Sequence, residues 1–344
     1  MKLIIHKDRN IEDALRIFPT IKDISRIILF VVNDNEQVIG TLTDGDVRRS
    51  LLQNGFVNKT VGEICNKVFD SVTDTDQYID LRKYREQDIK IIPVLDKLGR
   101  LTSVIDTSKM KAKLPLECMI MAGGRGKRLS PLTDNVPKPM LLLGNKPIIE
   151  HNIDLLISFG IQKIYISVKY LGQQIVDYFG DGSAKGIEIE YIWEEEELGT
   201  AGALALVENF ESEHVLLMNS DLFTNVNFEA MYLTMLHHEA DMVVASSEFK
   251  INIPYAIFET QGSQVMSFKE KPSYIYHSNG GIYIMRKDII KSIPRNQFCN
   301  ITDVMDQLIS SGGKLVYDPI VGFWIDIGKP VDYQQAQAFV KYFE

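Results

Sequence analysis

The fold class this sequence predicts is α/β: a mostly parallel sheet with helices on both faces, preceded by a smaller α/β domain. Three observations predict it. From Leu116 onward, short apolar runs alternate with amphipathic stretches, the pattern of strands joined by helical crossovers. Before that point, a strand–turn–strand segment occurs twice, about 62 positions apart. The charge is also divided: residues 1–113 hold 19 Lys or Arg against 17 Asp or Glu, and the rest of the chain 18 against 29. The switch falls at Lys109, Lys111, Lys113, Leu114 and Pro115, where the proline cannot continue a regular element. A boundary there gives domains of 1–113 and 114–344, and 344 residues suit about two domains of roughly 150.

Composition excludes several classes. Apolar residues at 45% and charged ones at 24% are globular values, so gross disorder is not expected. The longest apolar stretch, Ile27 to Val32, is far below the roughly 18 residues a membrane span needs. The start, MKLIIHKDRN, lacks a signal-peptide core, so the expectation is a soluble cytoplasmic protein with no membrane partner. Cys65, Cys118 and Cys299 are widely spaced and form no CxxC pair, which fits small core residues better than a zinc site. The six histidines include no HExxH pair. A net charge of −9 argues against a nucleic-acid partner, which would need a concentrated basic surface.

In the first domain, Phe30-Val31-Val32-Asn33-Asp34 through Val38-Ile39-Gly40-Thr41-Leu42 is echoed by Ile92 to Asp96 and Leu101 to Ile105. Each copy reads as two strands around a polar turn, preceded by an amphipathic helix (Ile11, Ala14, Leu15 and Phe18 in the first) and followed by another, as in Asp46 to Gln53. Thr43 ends a strand and Asp46 starts a helix, so a hydroxyl and a carboxylate sit beside free backbone N–H groups, a corner suited to a ribose and phosphate. The run Gly40-Thr41-Leu42-Thr43-Asp44-Gly45-Asp46-Val47-Arg48 resembles the signature of a CBS domain, and two copies would make one regulatory pair. That resemblance implies adenine-nucleotide contacts at Thr43 and Asp46. The second copy departs from it, with Asp106 and Lys109 at the matching positions. A plain helix cap at Asp46 in an oligomerisation module is the competing reading.

In the second domain, Glu117 to Met121 reads as a buried strand and Asn145 to Phe159 as a helix with Pro147 in its first turn. Strands follow at Ile164 to Val168, Ile187 to Trp193, His214 to Met218 and Met242 to Ser246. Helical stretches near Gly172 to Tyr178, Ala201 to Val207 and Phe228 to His238 separate them. Directly after the first strand comes Ala122-Gly123-Gly124-Arg125-Gly126-Lys127-Arg128-Leu129-Ser130-Pro131-Leu132-Thr133, then Pro137-Lys138-Pro139. Glycines there let backbone N–H groups approach a polyphosphate, and the nearby cations offset its charge. The loop is neither a Walker loop, since Arg128 replaces the required Ser or Thr, nor a dinucleotide fingerprint, since Leu129 stands at the third glycine.

GGRGKRLSPLT followed by PKP resembles the opening signature of the sugar-1-phosphate nucleotidyltransferases, the nucleotide-sugar pyrophosphorylases. Further motifs match in order: Leu198-Gly199-Thr200-Ala201-Gly202, Asn219-Ser220-Asp221, Phe268-Lys269-Glu270-Lys271-Pro272, Asn279-Gly280-Gly281 and Trp324-Ile325-Asp326. The resemblance implies a Rossmann-like domain that joins an NTP to a sugar 1-phosphate and releases pyrophosphate. It implies Mg²⁺ on Asp221 and Asp326, and Arg128 and Lys138 facing the triphosphate. By the same resemblance Ala122, Gly123, Gly124, Gly126, Gly199 and Thr200 line the nucleotide, and Glu270, Lys271, Asn279 and Gly280 the sugar phosphate. Bringing two polyanions together is mostly positioning and charge compensation, which is why the site needs cations, backbone donors and carboxylate-held metal.

The loop motifs look most similar to mannose-1-phosphate guanylyltransferases and relatives that act on glucosamine 1-phosphate. GTP is therefore the first choice of nucleotide, with uridylyl or thymidylyl transfer to glucose 1-phosphate as the alternative. Ala256 replaces a glycine found in many members, which bears on sugar identity. The acidic run Glu194 to Glu197 reads as the solvated end of a strand and is assigned no chemistry. A non-catalytic nucleotide-sugar sensor is the reading from another class. Both modules commonly self-associate, so a homo-oligomer is expected.

Overall fold

The computed structural model describes residues 3–22, 24–54 and 59–342. The chain divides into two compact units, Met1–Leu114 with Ser158–Gly160, and Pro115–Ile157 with Ile161–Glu344. All three cysteines are buried and free. Among the described residues no helix is long and apolar enough to cross a membrane.

The first unit repeats itself. Leu29–Val32 and Val38–Leu42 pair antiparallel, with Ile4–His6 alongside Leu29–Val32 in parallel. Ile91–Leu95 and Leu101–Asp106 pair the same way, with Val72–Thr73 alongside. Leu29, Phe30 and Val31 are fully buried and pack with Ala14, Phe18 and Val47 from the flanking helices Ile11–Ile17, its one-turn extension and Asp44–Asn54. Asn10 caps the first helix by accepting from the Asp13 N–H at 2.9 Å. The second copy differs from expectation after its last strand: Asp106 leads into a turn and the short strand Ala112–Lys113, not a helix. Ala112 already pairs with Asp80, which leaves room for one turn only, and that turn is capped by the Asp106 carboxylate. The carboxylate also accepts from Ser25 N–H and Oγ at 2.7 Å each and from Ser108 Oγ at 2.6 Å, so the chain's own serines occupy that corner. Burial would raise the Asp106 pKa, but these hydrogen bonds outweigh it and hold the group below its ordinary value.

The second unit is built on a seven-stranded sheet. Its spatial order is Glu188–Trp193, Lys163–Val168, Leu116–Met121, His214–Asn219, Ser273–Arg286, Met242–Asn252, Leu315–Pro319. Only Ser273–Arg286 runs against the rest, antiparallel to both neighbours. Cys118, Met119, Ile120, Ile164, Ile166 and Val168 are fully buried, as expected of strands covered on both faces. Each such side chain contributes about 1.5–3 kcal/mol by leaving water. Helix Ile148–Ser158 buries Ile148, Ile149, Ile153 and Leu156, and Pro147 belongs to a short strand pair before it rather than to its first turn. Phe228–His238 forms as the sequence predicts: Asn227 accepts from the N–H of Glu229 and Ala230, and Glu239 ends it in the left-handed region at φ 48°. The first strand of this sheet lies between the second and the fourth. Chain direction in the sheet order reverses there, so the carboxyl ends of Leu116–Met121 and His214–Asn219 frame a switch-point crevice.

Candidate active site

The loop after Met121 is placed by a continuation of the ladder, with Ala122 N–H donating to the Ser167 carbonyl at 3.1 Å. Its three glycines differ in what they need. Gly126 is left-handed at φ 65°, and a Cβ there would stand 2.9 Å from Lys138 Cβ. Gly123 has Glu194 Oε1 2.8 Å from where a Cβ would sit, whereas Gly124 faces open space. Thr133 Oγ1 donates to the Gly126 carbonyl at 2.9 Å, and Leu129 anchors the following turn in an apolar cluster. The sequence thus folds this loop by backbone fit, leaving Gly124, Lys127 and Arg128 exposed to the crevice.

Two short strands bring distant residues together. Leu222–Thr224 pairs antiparallel with Trp324–Asp326, with Leu222 opposite Asp326, and Ile327 N–H donates to the Asp221 carbonyl at 3.0 Å. Asp221 and Asp326, over a hundred positions apart in the chain, therefore stand side by side. Lys138, itself buried, forms an ion pair with Asp221 Oδ2. Asp221 Oδ1 is buried and accepts no hydrogen bond. Desolvation and then the Asp221 charge push the Asp326 pKa up, against the cations of Lys138 and Arg128. Two adjacent carboxylates, one with an orphaned buried oxygen, make an all-oxygen donor set of the kind a hard divalent cation takes.

Over this floor lies a cavity of about 510 Å³, walled by the glycine loop, Lys138, Asp221 and the Leu198-Gly199-Thr200 turn. Gly199 is left-handed at φ 75°, and a Cβ on it would come within 2.6 Å of the Cys299 carbonyl oxygen. Thr200 Oγ1 accepts from the Ile301 N–H at 2.9 Å, which fixes the side chain against the helix Ile301–Ser310 and leaves its O–H able to donate. A neighbouring cavity of about 300 Å³ is lined by Asn219, Asn279, Gly280, Trp324 and Asp326. Asn279 is locked, accepting from Gly281 N–H at 2.9 Å and Tyr283 OH at 2.8 Å, and the Gly280 carbonyl accepts from Trp324 Nε1 at 2.8 Å.

The structure thus brings together Gly123 to Gly126, Arg128, Lys138, Gly199, Thr200, Asp221, Asn279, Gly280 and Asp326 around adjoining cavities, while Ala122 lies buried behind the loop and lines neither. Glu270 and Lys271 line neither cavity and are exposed. Arg125 stacks over the Tyr170 ring at 5.2 Å.

Glu194 is the residue sequence reasoning passed over. The ladder runs one residue past Trp193, with Glu194 N–H donating to the Val168 carbonyl at 3.0 Å, and this turns the side chain into the large cavity. It is 9% exposed, and its Oε2 accepts from Leu198 N–H at 3.2 Å. Burial pushes its pKa up, while Leu198 N–H and the Ser167 hydroxyl pull the other way. Four consecutive glutamates hide which one is buried; the packing of Gly123 against it is the signal.

In the first unit, Asp46 Oδ2 accepts from Thr43 N–H at 2.7 Å and Thr43 Oγ1 at 2.6 Å, and the same carboxylate pairs with Arg49. This corner opens on a cavity of about 420 Å³ with Arg26, Arg49 and Lys90 in its wall.

A glycine-loop cradle above paired carboxylates at a sheet switch point defines a phosphate-handling enzyme of the nucleotide-binding α/β kind. The chain belongs to the nucleotidyl transferase family, whose model matches residues 117–342. It is 33% identical over 235 residues to the D-glycero-alpha-D-manno-heptose 1-phosphate guanylyltransferase of Aneurinibacillus thermoaerophilus, covering 66% of this chain and 100% of that one. It is 32% identical over 226 residues to mannose-1-phosphate guanyltransferase beta-A of Xenopus laevis, covering 63% of this chain but only 62% of that relative's length. Among solved structures it resembles HddC from Yersinia pseudotuberculosis complexed with GMP-PN, with a TM-score of 0.52, 25% identity and 66% and 99% of the two chains covered.

Proposed function

We propose that the second unit transfers a nucleotidyl group, from GTP first of all, to a sugar 1-phosphate of the mannose or glucosamine type, giving the nucleotide sugar and pyrophosphate. The observation that carries this is the convergence of the Gly123–Gly126 loop, Lys138 and the Asp221/Asp326 pair on one crevice. A sugar-phosphate oxygen attacks the α-phosphorus of the triphosphate. The new P–O bond forms as the bond to the β-phosphate oxygen breaks, and pyrophosphate leaves with the electron pair. Backbone N–H groups of the loop and the charges of Lys138 and Arg128 hold the triphosphate and offset the charge of the leaving group. Asp221 and Asp326 would hold Mg²⁺, which when bound supplies further charge compensation at the phosphates. Asn279 and the backbone of Gly280 shape the adjoining sugar cavity.

Glu194 supports guanine over uracil and thymine. A carboxylate accepts two adjacent hydrogen bonds, and guanine presents N1–H and N2–H side by side on its Watson–Crick edge. Uracil and thymine offer one N–H flanked by carbonyls, which a carboxylate repels. For the first unit, the repeat, the Thr43/Asp46 corner and its cavity support a CBS-type pair binding one adenine nucleotide, the second corner being filled by Ser25. Pyrophosphate release with Mg²⁺, crossing GTP, UTP, dTTP, CTP and ATP with mannose, glucosamine, N-acetylglucosamine and glucose 1-phosphates, tests the reaction. GTP with one of the first two sugars is expected to give product; release with UTP or dTTP and glucose 1-phosphate alone would replace the base and sugar assignment.

A further inference from the structure

The sugar cavity is short of positive charge. Among the described residues that line it, Asp326 alone is charged; the Mg²⁺ it would share with Asp221 and the cations Lys138 and Arg128 of the adjoining cavity serve the triphosphate, and a sugar 1-phosphate brings two further negative charges. The nearest motif suited to meet it, Glu270-Lys271-Pro272, is held elsewhere. Beyond the sheet, Met242–Asn252 and Ser273–Arg286 continue as a two-stranded ribbon, paired without interruption from Ser246 opposite Asn279 to Asn252 opposite Ser273. Lys271 lies past the far end of that ribbon. Asn279, at the cavity, lies at its root, about 20 Å away at ordinary strand rise. A lysine side chain cannot span that distance, and an unbroken ladder cannot fold back on itself.

The arm, residues 247–278, is also poorly covered. Leu315–Pro319 pairs only as far as Ser246, and His214–Asn219 pairs only from Ile282 onward, so no strand among the described residues adjoins either edge of the ribbon. Unprotected edges of this kind invite another chain. Phe249, Tyr255, Phe258, Met266, Phe268 and Tyr276 are each between 55% and 75% exposed. Phe249 is paired with Tyr276 and Phe258 with Phe268, so each pair shares one face. Together the six present about 700 Å² of largely apolar surface, close to the ~800 Å² per partner of a standard interface.

We propose that the arm is exchanged between two copies of this chain, so that Lys271 and Glu270 of one copy complete the sugar cavity of the other. The arrangement is isologous: each copy gives an arm and receives one, and each site is whole only in the dimer. Lys271 meets the sugar phosphate and Glu270 accepts from sugar hydroxyls, while the aromatic faces of the arm cover each other's edges. This rests on the nucleotidyl-transfer reading above.

The test is complementation. Asp221→Asn spoils a site but leaves its arm intact, and Lys271→Ala spoils an arm but leaves its site intact. The two variants are co-expressed with different tags and the mixed dimer is isolated on both tags in turn. Each variant alone should lose about 100-fold or more in pyrophosphate release. The mixed dimer has one whole site of two, and about half of wild-type activity is expected. A mixed dimer as inactive as its parents, a Lys271→Ala variant as active as wild type, or failure of the two tags to co-purify would each overturn arm exchange. A silent wild-type enzyme would instead overturn the reaction reading beneath it. Independently of activity, Phe258→Ser with Phe268→Ser should halve the mass measured by sedimentation equilibrium; an unchanged dimer, or a wild-type monomer, would contradict the proposal.

Discussion

Gly126 and Gly124 stand two residues apart in the same loop, and the geometry assigns them different tasks. Gly126→Ala forces an alanine to φ 65° and puts its methyl 2.9 Å from Lys138 Cβ and 3.3 Å from Lys138 Cδ. The left-handed backbone costs about 1–2 kcal/mol and the overlap about 1–2 kcal/mol more, a total of about 2–4 kcal/mol. With a urea slope of about 2 kcal/mol/M, the unfolding midpoint should fall by about 1–2 M. Tryptophan fluorescence reads this cleanly, because Trp193 and Trp324 both lie in the second unit and the chain has 2 tryptophans. Displacing the Lys138 stem also pulls its ammonium from Asp221, and kcat/KM should drop by about 10–100-fold. Gly124→Ala meets nothing within 4 Å and carries no positive φ. Its stability should be unchanged or higher by up to about 1 kcal/mol, because the unfolded chain loses freedom. Its methyl stands where triphosphate must approach backbone, so KM for the nucleotide should rise about tenfold or more. Wild-type KM in Gly124→Ala would refute the phosphate-cradle argument, and a wild-type midpoint in Gly126→Ala would refute the steric one.

Other perturbations probe the remaining parts. Asp221→Asn removes the orphaned carboxylate oxygen, and titrating Mg²⁺ into chelator-treated protein should restore pyrophosphate release in wild type but not in the variant; restoration in both would remove Asp221 from the metal site. Glu194→Gln should lower kcat/KM for GTP by about 10–100-fold, from the loss of one bidentate contact, while leaving UTP turnover unchanged or improved, as parallel kinetics would register. The same variant carries a pH signature. Because burial raises the folded-state pKa of Glu194, stability owed to its neutral form is present at acid pH and lost as pH rises through that raised value. Glu194→Gln should therefore gain melting temperature over wild type at pH 7, and the gain should vanish below the ordinary carboxylate range; an equal difference at both pH values would contradict the assignment. Asp46→Ala should abolish any rise in melting temperature that AMP, ADP or ATP produces in wild type, and calorimetry with the same nucleotides should lose its single site per chain.

Much of the fold could be read from local pattern. The parallel strands are short and buried on both faces, so their apolar runs stand out, and Phe228–His238 carries both its cap and its stop within a few residues. The glycine loop could be read for a similar reason: backbone close to backbone or phosphate demands glycine whatever surrounds it. What escaped depends on distant partners. Only the family resemblance puts Asp326 with Asp221; the two-strand pairing across a hundred residues that places them side by side lies in no window of sequence. Thr200 lines the large cavity, and what holds it there is the N–H of Ile301 donating to its hydroxyl, again a long-range contact. Met242–Asn252 was expected to stop at Ser246. It runs on because its extension pairs with Ser273 to Ser278, a stretch with no buried residue, as suits a ribbon rather than a core.

The central claim is that one crevice joins a nucleotide to a sugar 1-phosphate by breaking the α–β bond of the triphosphate. ³¹P NMR of the purified protein with GTP, Mg²⁺ and mannose or glucosamine 1-phosphate observes that bond change directly. The account predicts that the sugar-phosphate monoester signal decays while two coupled diphosphate resonances and free pyrophosphate grow in equal amounts. Loss of GTP to GDP and orthophosphate with the monoester signal unchanged would contradict it.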